Sequence, residues 1–193
     1  MRFSAKSSLA DVAVAVGDAL RRAGIRAVLT GGACASLYSR GAYQSVDADF
    51  VLGESTTLEE LDRALATLGF RRDRGRYVHA SVSFFVEFPT GPLGIGGDFR
   101  IRPVWRRRRA ARTLALSATD SCRDRLAAFY HWNDRQGLAA AVAIAARNRV
   151  ALGKVREWSR KEGKLGGYST FLAELRRHRE GVRARSSRAK PKR

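Results

Sequence analysis

The sequence predicts an α+β fold: a mixed α/β half, then an all-helical half, then a disordered basic tail. Three observations carry this. Up to Leu116, apolar runs of strand length alternate with amphipathic stretches of helical period. Beyond Leu116 only the helical period remains. Finally, Arg176–Arg193 holds nine basic residues and one acid with almost nothing to bury, which reads as a frayed helix end and a disordered tail. The expected boundaries are 1–116 for the α/β domain, 117–179 for the helical region and 180–193 for the tail.

Each element has its own signal. Leu9, Val12, Val16, Ala19 and Leu20 make a helical stripe over Ser8–Ala23. Ile25–Leu29 is a short apolar strand that runs into Thr30-Gly31-Gly32, and Ala33–Tyr38 opens as a helix directly from the glycines. Val46–Leu52 is a strand with Asp47 and Asp49 on one face. Thr57 caps a helix over Leu58–Leu68, with Glu60 as the acid of a capping box, and Gly69 stops it. Phe70–Arg72, Arg76–His79 and Val82–Phe88 form a strand meander. Thr90–Gly97 holds four glycines and a proline and is a loop, read as a flexible flap. Phe99–Val104 and Arg112–Leu116 are further strands. Ser117-Ala118-Thr119-Asp120 starts a helix to about Trp132. Asn133 with Gln136 opens the next, Asp134–Val150. Helices over Ala151–Lys161 and Tyr168–His178 follow, separated by a loop at Glu162–Gly167.

Composition removes several classes. The 193 residues are 45% hydrophobic, a globular proportion. The longest strictly apolar run, Leu138–Ala146, is nine residues, too short for a bilayer, so no membrane association is expected. Asp11, Asp18, Arg21 and Arg22 interrupt the first 26 residues, so no secretory leader is expected. Two cysteines, Cys34 and Cys122, and three scattered histidines fit neither a disulfide framework nor a zinc site. A reducing cytoplasm is the expected location. The net charge is +19, and from Arg147 to the end there are 16 Lys+Arg against four Glu. With the run Arg106–Arg109, this distribution suits contact with a polyanion. The plainer reading is a solvated tail in an arginine-biased protein, since Arg outnumbers Lys 31 to 6.

The chemistry concentrates in Val28–Leu52. A strand runs into Thr30-Gly31-Gly32, a helix follows, and a further strand presents Asp47 and Asp49 a few ångströms apart on one face. Adjacent carboxylates repel unless a cation lies between them. Mg²⁺ is the natural occupant, being hard, oxygen-seeking and willing to share its shell with phosphates. Gly31 and Gly32 allow the backbone close to a triphosphate, and helix N-terminal amides add donors. These are the parts of metal-assisted nucleotidyl or phosphoryl transfer.

That order of strand, Gly-Gly, helix and Asp47-Ala48-Asp49 strand resembles the nucleotidyltransferase (polymerase β-like) superfamily, particularly its small bacterial minimal and abortive-infection-type members. The resemblance covers about Ala10–Phe88. Thr119–Ala146, with its DRLAAFYHWNDRQGL run, also resembles the helical region that follows the catalytic domain in such proteins. Arg40 and Ser45 resemble the Arg and Ser/Thr that often precede the acids. The resemblance implies a mixed sheet flanked by helices, two Mg²⁺ ions held by the Asp pair, and an NTP cradled by Gly31 and Gly32 with Thr30 as a further donor. One ion would be shared with the triphosphate; the other would activate an acceptor hydroxyl for in-line attack at the α-phosphorus.

Family members carry a third carboxylate on a later strand. Glu87, inside the apolar run SFFVEF, is the first candidate, since an acid there is costly without a cation or donor. Asp98, after the glycine loop, is the second. The family acid is usually aspartate, so Glu87 is a departure: either a longer ligand or proton acceptor, or a mark of weakened chemistry. Arg40 is a candidate phosphate clamp. Tyr130, His131 and Trp132 read as core aromatics, Asp124 and Arg125 as surface or interdomain contacts, and Cys34 as a packed residue.

The expected function is therefore Mg²⁺-dependent transfer of an NMP from an NTP to a macromolecule. The basic tail and Arg106–Arg109 favour RNA, tRNA in particular, as acceptor. A toxin–antitoxin or phage-defence role is implied by the resemblance alone. The alternatives are nucleotidylation of a partner protein's hydroxyl, and a catalytically degenerate binding or antitoxin module.

Overall fold

The structure, a computed structural model, describes residues 3–43, 45–53 and 56–188. Seven strands among these residues form one mixed sheet in the order β3-β4-β5-β2-β1-β7-β6. Helix α1 (Leu9–Arg22) is capped by the Ser8 hydroxyl, which accepts from the Asp11 amide, and Arg21 and Arg22 complement its C-terminal end. Its stripe is buried as the periodicity requires: Val12, Val16 and Leu20 are fully enclosed. β1 (Ala27–Leu29) then enters the centre of the sheet, antiparallel to β2 (Asp47–Leu52) and parallel to β7 (Ala111–Ala115). Helix α2 (Gly31–Ser39) connects β1 to the β2 side. The capping box of α3 (Leu58–Ala66) is present in full between Thr57 and Glu60. β3 (Phe70–Asp73), β4 (Arg76–His79) and β5 (Val82–Glu87) form the antiparallel meander, and β5 returns parallel to β2.

The next strand lies elsewhere than the sequence predicts. β6 is Val104–Arg108, running through the arginines rather than over Phe99–Val104, and pairs with β7 with Arg106 opposite Thr113. An edge strand pairs on one side only, so charged side chains are tolerated there and guard the open edge. Two of these arginine-rich partners also stack on rings: Arg106 over Tyr38 at 4.9 Å and Arg112 over Trp105 at 5.0 Å.

The helical half begins with α4 (Ala118–Trp132), capped by Ser117, whose hydroxyl accepts from the Asp120 amide. Asn133 is not the start of the following helix. It is the left-handed C-cap of α4, and Asp134 caps α5 (Arg135–Arg147) instead. After α6 (Leu152–Lys161), helix α7 spans Leu165–Arg188, starting earlier and ending later than the expected Tyr168–His178. The Gly166-Gly167 pair reads as a loop but lies in the first turn of α7, where glycine at 167 is needed because a side chain would run into the Tyr130 ring. Residues 180–188 of the expected tail are thus helical, and 189–193 lie outside the described residues. Side chains on both sides of Leu116 share one core, with Leu29, Phe50 and Leu65 joined by Leu126, Ile144 and Phe171. No helix among the described residues is long and apolar enough to cross a membrane.

Candidate metal and nucleotide site

Three elements meet at the carboxyl end of β1. β2 presents Asp47 and Asp49, two residues apart, on the face opposite the buried Ala48 and Phe50. The parallel register between β2 and β5 sets Glu87 directly beside Asp49 and Val86 beside Ala48. Alternation then puts all three acids on one face, and their ligand oxygens lie within 4.8 Å of one another. Each of the three is partly buried.

The third element is the N-terminus of α2. Gly31 has φ +61, and a side chain there would overlap the Asp49 carboxylate. Glycine is required for both reasons, and the result is a carboxylate resting on the bare start of a helix. Gly32 gives the same close approach to the Ser45 hydroxyl, which itself donates to Asp47 Oδ1 at 2.5 Å. Thr30 ties the two elements together: its amide donates to the Asp49 carbonyl at 2.9 Å and its hydroxyl reaches the same carbonyl at 3.4 Å. Thr30 supplies no side-chain cap, so the first amides of α2 are left for an outside acceptor.

Electrostatics make it costly to ionise all three acids together. Burial, then the charges of Asp47 and Glu87, push the Asp49 carboxyl up from 3.8 to about 6. A hard, half-buried set of three carboxylates with repelling charge is the donor set a divalent cation such as Mg²⁺ takes.

The remaining candidates separate cleanly. Arg40 stands at the far end of α2 as its left-handed C-cap (φ 54) and lines a neighbouring cavity with Ser45. Asp98 is not beside the acids. Arg123 holds it at 2.7 Å, and that ion pair keeps its carboxyl below the usual range. The glycine loop is no free flap either: Trp158 Nε1 donates to the Ile95 carbonyl at 3.2 Å, and the Gly97 amide donates to Glu162 at 3.0 Å. His131 pairs with the same Glu162 at 3.2 Å. Cys34 is fully buried, and burial pushes its thiol up to about 12, which fits a packed residue.

Arg125, which the sequence places among surface or interdomain contacts, lies close enough to act on the acids. It sits on α4, only 16% exposed, with Asp124 at 2.8 Å and the Tyr43 hydroxyl beside it. Its charge reaches Asp49 and draws that carboxyl down, against Asp47 and Glu87. The sole sequence signal was an Asp-Arg pair on the inward side of a helix otherwise lined by Cys122, Leu126 and Tyr130.

A crystal structure of an antigenic nucleotidyltransferase-like protein from Paracoccidioides brasiliensis matches this chain with a TM-score of 0.56 at 14% identity, over 94% of this chain and 93% of that one. The chain has a nucleotidyltransferase-like fold. The match spans nearly the whole chain, so it takes in the helical half as well as the sheet. No family model matches the sequence, and neither does any curated protein.

Proposed function

We propose that the protein is a Mg²⁺-dependent nucleotidyltransferase that moves an NMP from an NTP onto a macromolecular acceptor, RNA by preference. One observation carries the reading: Asp47, Asp49 and Glu87 converge within 4.8 Å directly against the uncapped N-terminus of α2. Carboxylates for a cation and free amides for phosphate oxygens are thereby side by side, which is what a metal–triphosphate complex needs.

In this reading Asp47, Asp49 and Glu87 hold the metal, and the amides of Gly31 and Gly32 hold the triphosphate. Bound there, Mg²⁺ would supply positive charge to the reacting phosphate and would lower the pKa of the attacking hydroxyl. Ser45 fixes the rotamer of Asp47 through its 2.5 Å hydrogen bond. Arg125 and the α2 amides supply the fixed positive potential toward which the triphosphate moves. The acceptor hydroxyl oxygen bonds to the α-phosphorus, the bond to pyrophosphate breaks, and a carboxylate, Glu87 by position, takes the proton. The +19 net charge and the arginine-rich edge and C-terminal helix support RNA over a protein acceptor.

The test uses wild type and the Asp47→Ala/Asp49→Ala double variant with Mg²⁺, each α-labelled NTP in turn, and total RNA or lysate. Label on RNA that disappears with the double variant is expected. Label on protein would move the acceptor, and no label with any NTP would sink the transferase reading.

A further inference from the structure

Ser45 also lines a pocket of about 510 Å³. The start of α1, the C-terminal half of α2, Phe84 and edge strand β6 enclose it. Arg40, Arg106, Arg107 and Arg108 line it, and no acidic residue does.

These arginines are not equivalent. Arg108 is already engaged: Asp11 lies 2.7 Å away, and that hydrogen bond holds the Asp11 carboxyl down at about 2. Arg40, Arg106 and Arg107 make no ion pair among the described residues. Arg106 is the most constrained. Its guanidinium lies 4.9 Å over the Tyr38 ring, and Tyr38 is itself fixed by a 2.8 Å hydrogen bond to the Leu116 carbonyl. Arg106 Nε is closed off from solvent yet has no hydrogen-bond partner. An enclosed donor without a partner is unfavourable, and an anion in the pocket would meet this guanidinium through its outer nitrogens. The pocket also offers two rings, Tyr43 and Phe84, beside its cations.

We propose that this pocket holds a backbone phosphate of a single-stranded polynucleotide acceptor, with an adjacent base against Tyr43 and Phe84. Phosphate on arginine and base on an aromatic face is how single strands are held without sequence readout. Two features assign the phosphate to the acceptor rather than to the nucleotide donor. The nine residues of α2 put the backbone of Arg40, at its C-cap, about 13 Å from the N-terminal amides beside the acids. Ser45 borders both sites, touching Gly32 and Asp47 on one side and lining the pocket on the other, so a strand seated here ends beside the acids. The assignment takes its sense from the transferase reading, but its test does not depend on it.

The test measures binding of a labelled single-stranded RNA decamer across a salt series, and separately of Mg·ATP. It compares wild type, Arg106→Gln, Arg40→Asn and Arg71→Gln, an exposed arginine on β3. Arg40→Asn keeps a residue suited to the left-handed cap and guards against a folding defect in Arg106→Gln. Arg106→Gln and Arg40→Asn are each expected to weaken RNA binding and to flatten the slope of log K against log salt by about 0.7, with Mg·ATP affinity unchanged. Arg71→Gln should leave that slope at the wild-type value. Slopes for both pocket variants equal to that of Arg71→Gln would overturn the proposal. So would a loss of ATP affinity with RNA binding intact, because the phosphate would then belong to the donor. Asp47→Asn/Asp49→Asn should retain the full RNA slope. If wild type transfers no label while the pocket variants still lose slope, the transferase reading fails and the pocket stands.

Discussion

Replacing Asp49 with asparagine should stabilise the metal-free protein at neutral pH. Burial and the charges of Asp47 and Glu87 raise the Asp49 carboxyl from 3.8 to about 6 in the fold. A raised pKa means the native state prefers the proton. The resulting contribution to stability is fully present below the unfolded value and is lost as pH rises through about 6. Near pH 7 the ionised wild type therefore lacks something that a neutral amide keeps at every pH. A shift of about two pKa units corresponds to roughly 3 kcal/mol. Partial exposure and an imperfectly bonded amide reduce this to about 1–2 kcal/mol, or some 2–8 °C in Tm for a chain of this size. The assay is thermal and urea unfolding from about pH 4 to 8, with chelator and with Mg²⁺. With chelator, Asp49→Asn should match wild type near pH 4 and exceed it near pH 7. With Mg²⁺, wild type should gain stability and the variant little. A variant less stable than wild type near pH 7 without metal, or one that gains as much from Mg²⁺, would refute the reasoning.

Other consequences are equally direct. Mg²⁺ must displace the proton on Asp49, so the Mg²⁺-induced rise in Tm should be full above about pH 7 and fade as pH falls through about 6, which a pH series with and without chelator reads out. Gly31→Ala puts a side chain into the Asp49 carboxylate at φ +61 and should cost about 1–3 kcal/mol in urea unfolding and remove the Mg²⁺ response, whereas Gly153→Ala, with open space around it, should do neither. Arg125→Met should raise the apparent Kd for Mg·NTP about tenfold by removing a buried charge that faces Asp49, as titration calorimetry would show. Asp11→Asn should destabilise by about 1 kcal/mol near pH 7, since solvent screens a pair whose arginine is 41% exposed. The lowered carboxyl of Asp11 contributes stability above pH 4 that is lost as pH falls toward 2, so the difference from wild type should vanish there.

What was legible in the sequence was local. Thr57 and Ser117 announce their helices because a cap needs only the next three residues. Asp47 and Asp49 share a face because strand geometry alone decides it. Gly31 and Gly32 stand out because a strand turning into a helix without a side chain is a local event. The choice of Glu87 over Asp98 rested on the cost of an acid in an apolar run, but its position beside Asp49 required the parallel pairing of β2 with β5. No local pattern sets that register. The strand through Arg106 was misplaced because an edge strand need not alternate, so a charged run there resembles a loop. Gly166-Gly167 read as a break because the ring of Tyr130, which demands the glycine, is remote in sequence.

The sequence by itself determined the order of elements, the carboxylate pair and the bare helix start, because each follows from backbone geometry and side-chain chemistry over a few residues. Only the tertiary structure decided that Glu87 completes the acids, that Arg125 reaches them from α4, and that Arg40 and Arg106 open onto one cavity. These are meetings of residues distant in the chain, set by sheet pairing and by the shared core on both sides of Leu116. No periodicity within a segment encodes them, since they depend on which surfaces bury one another.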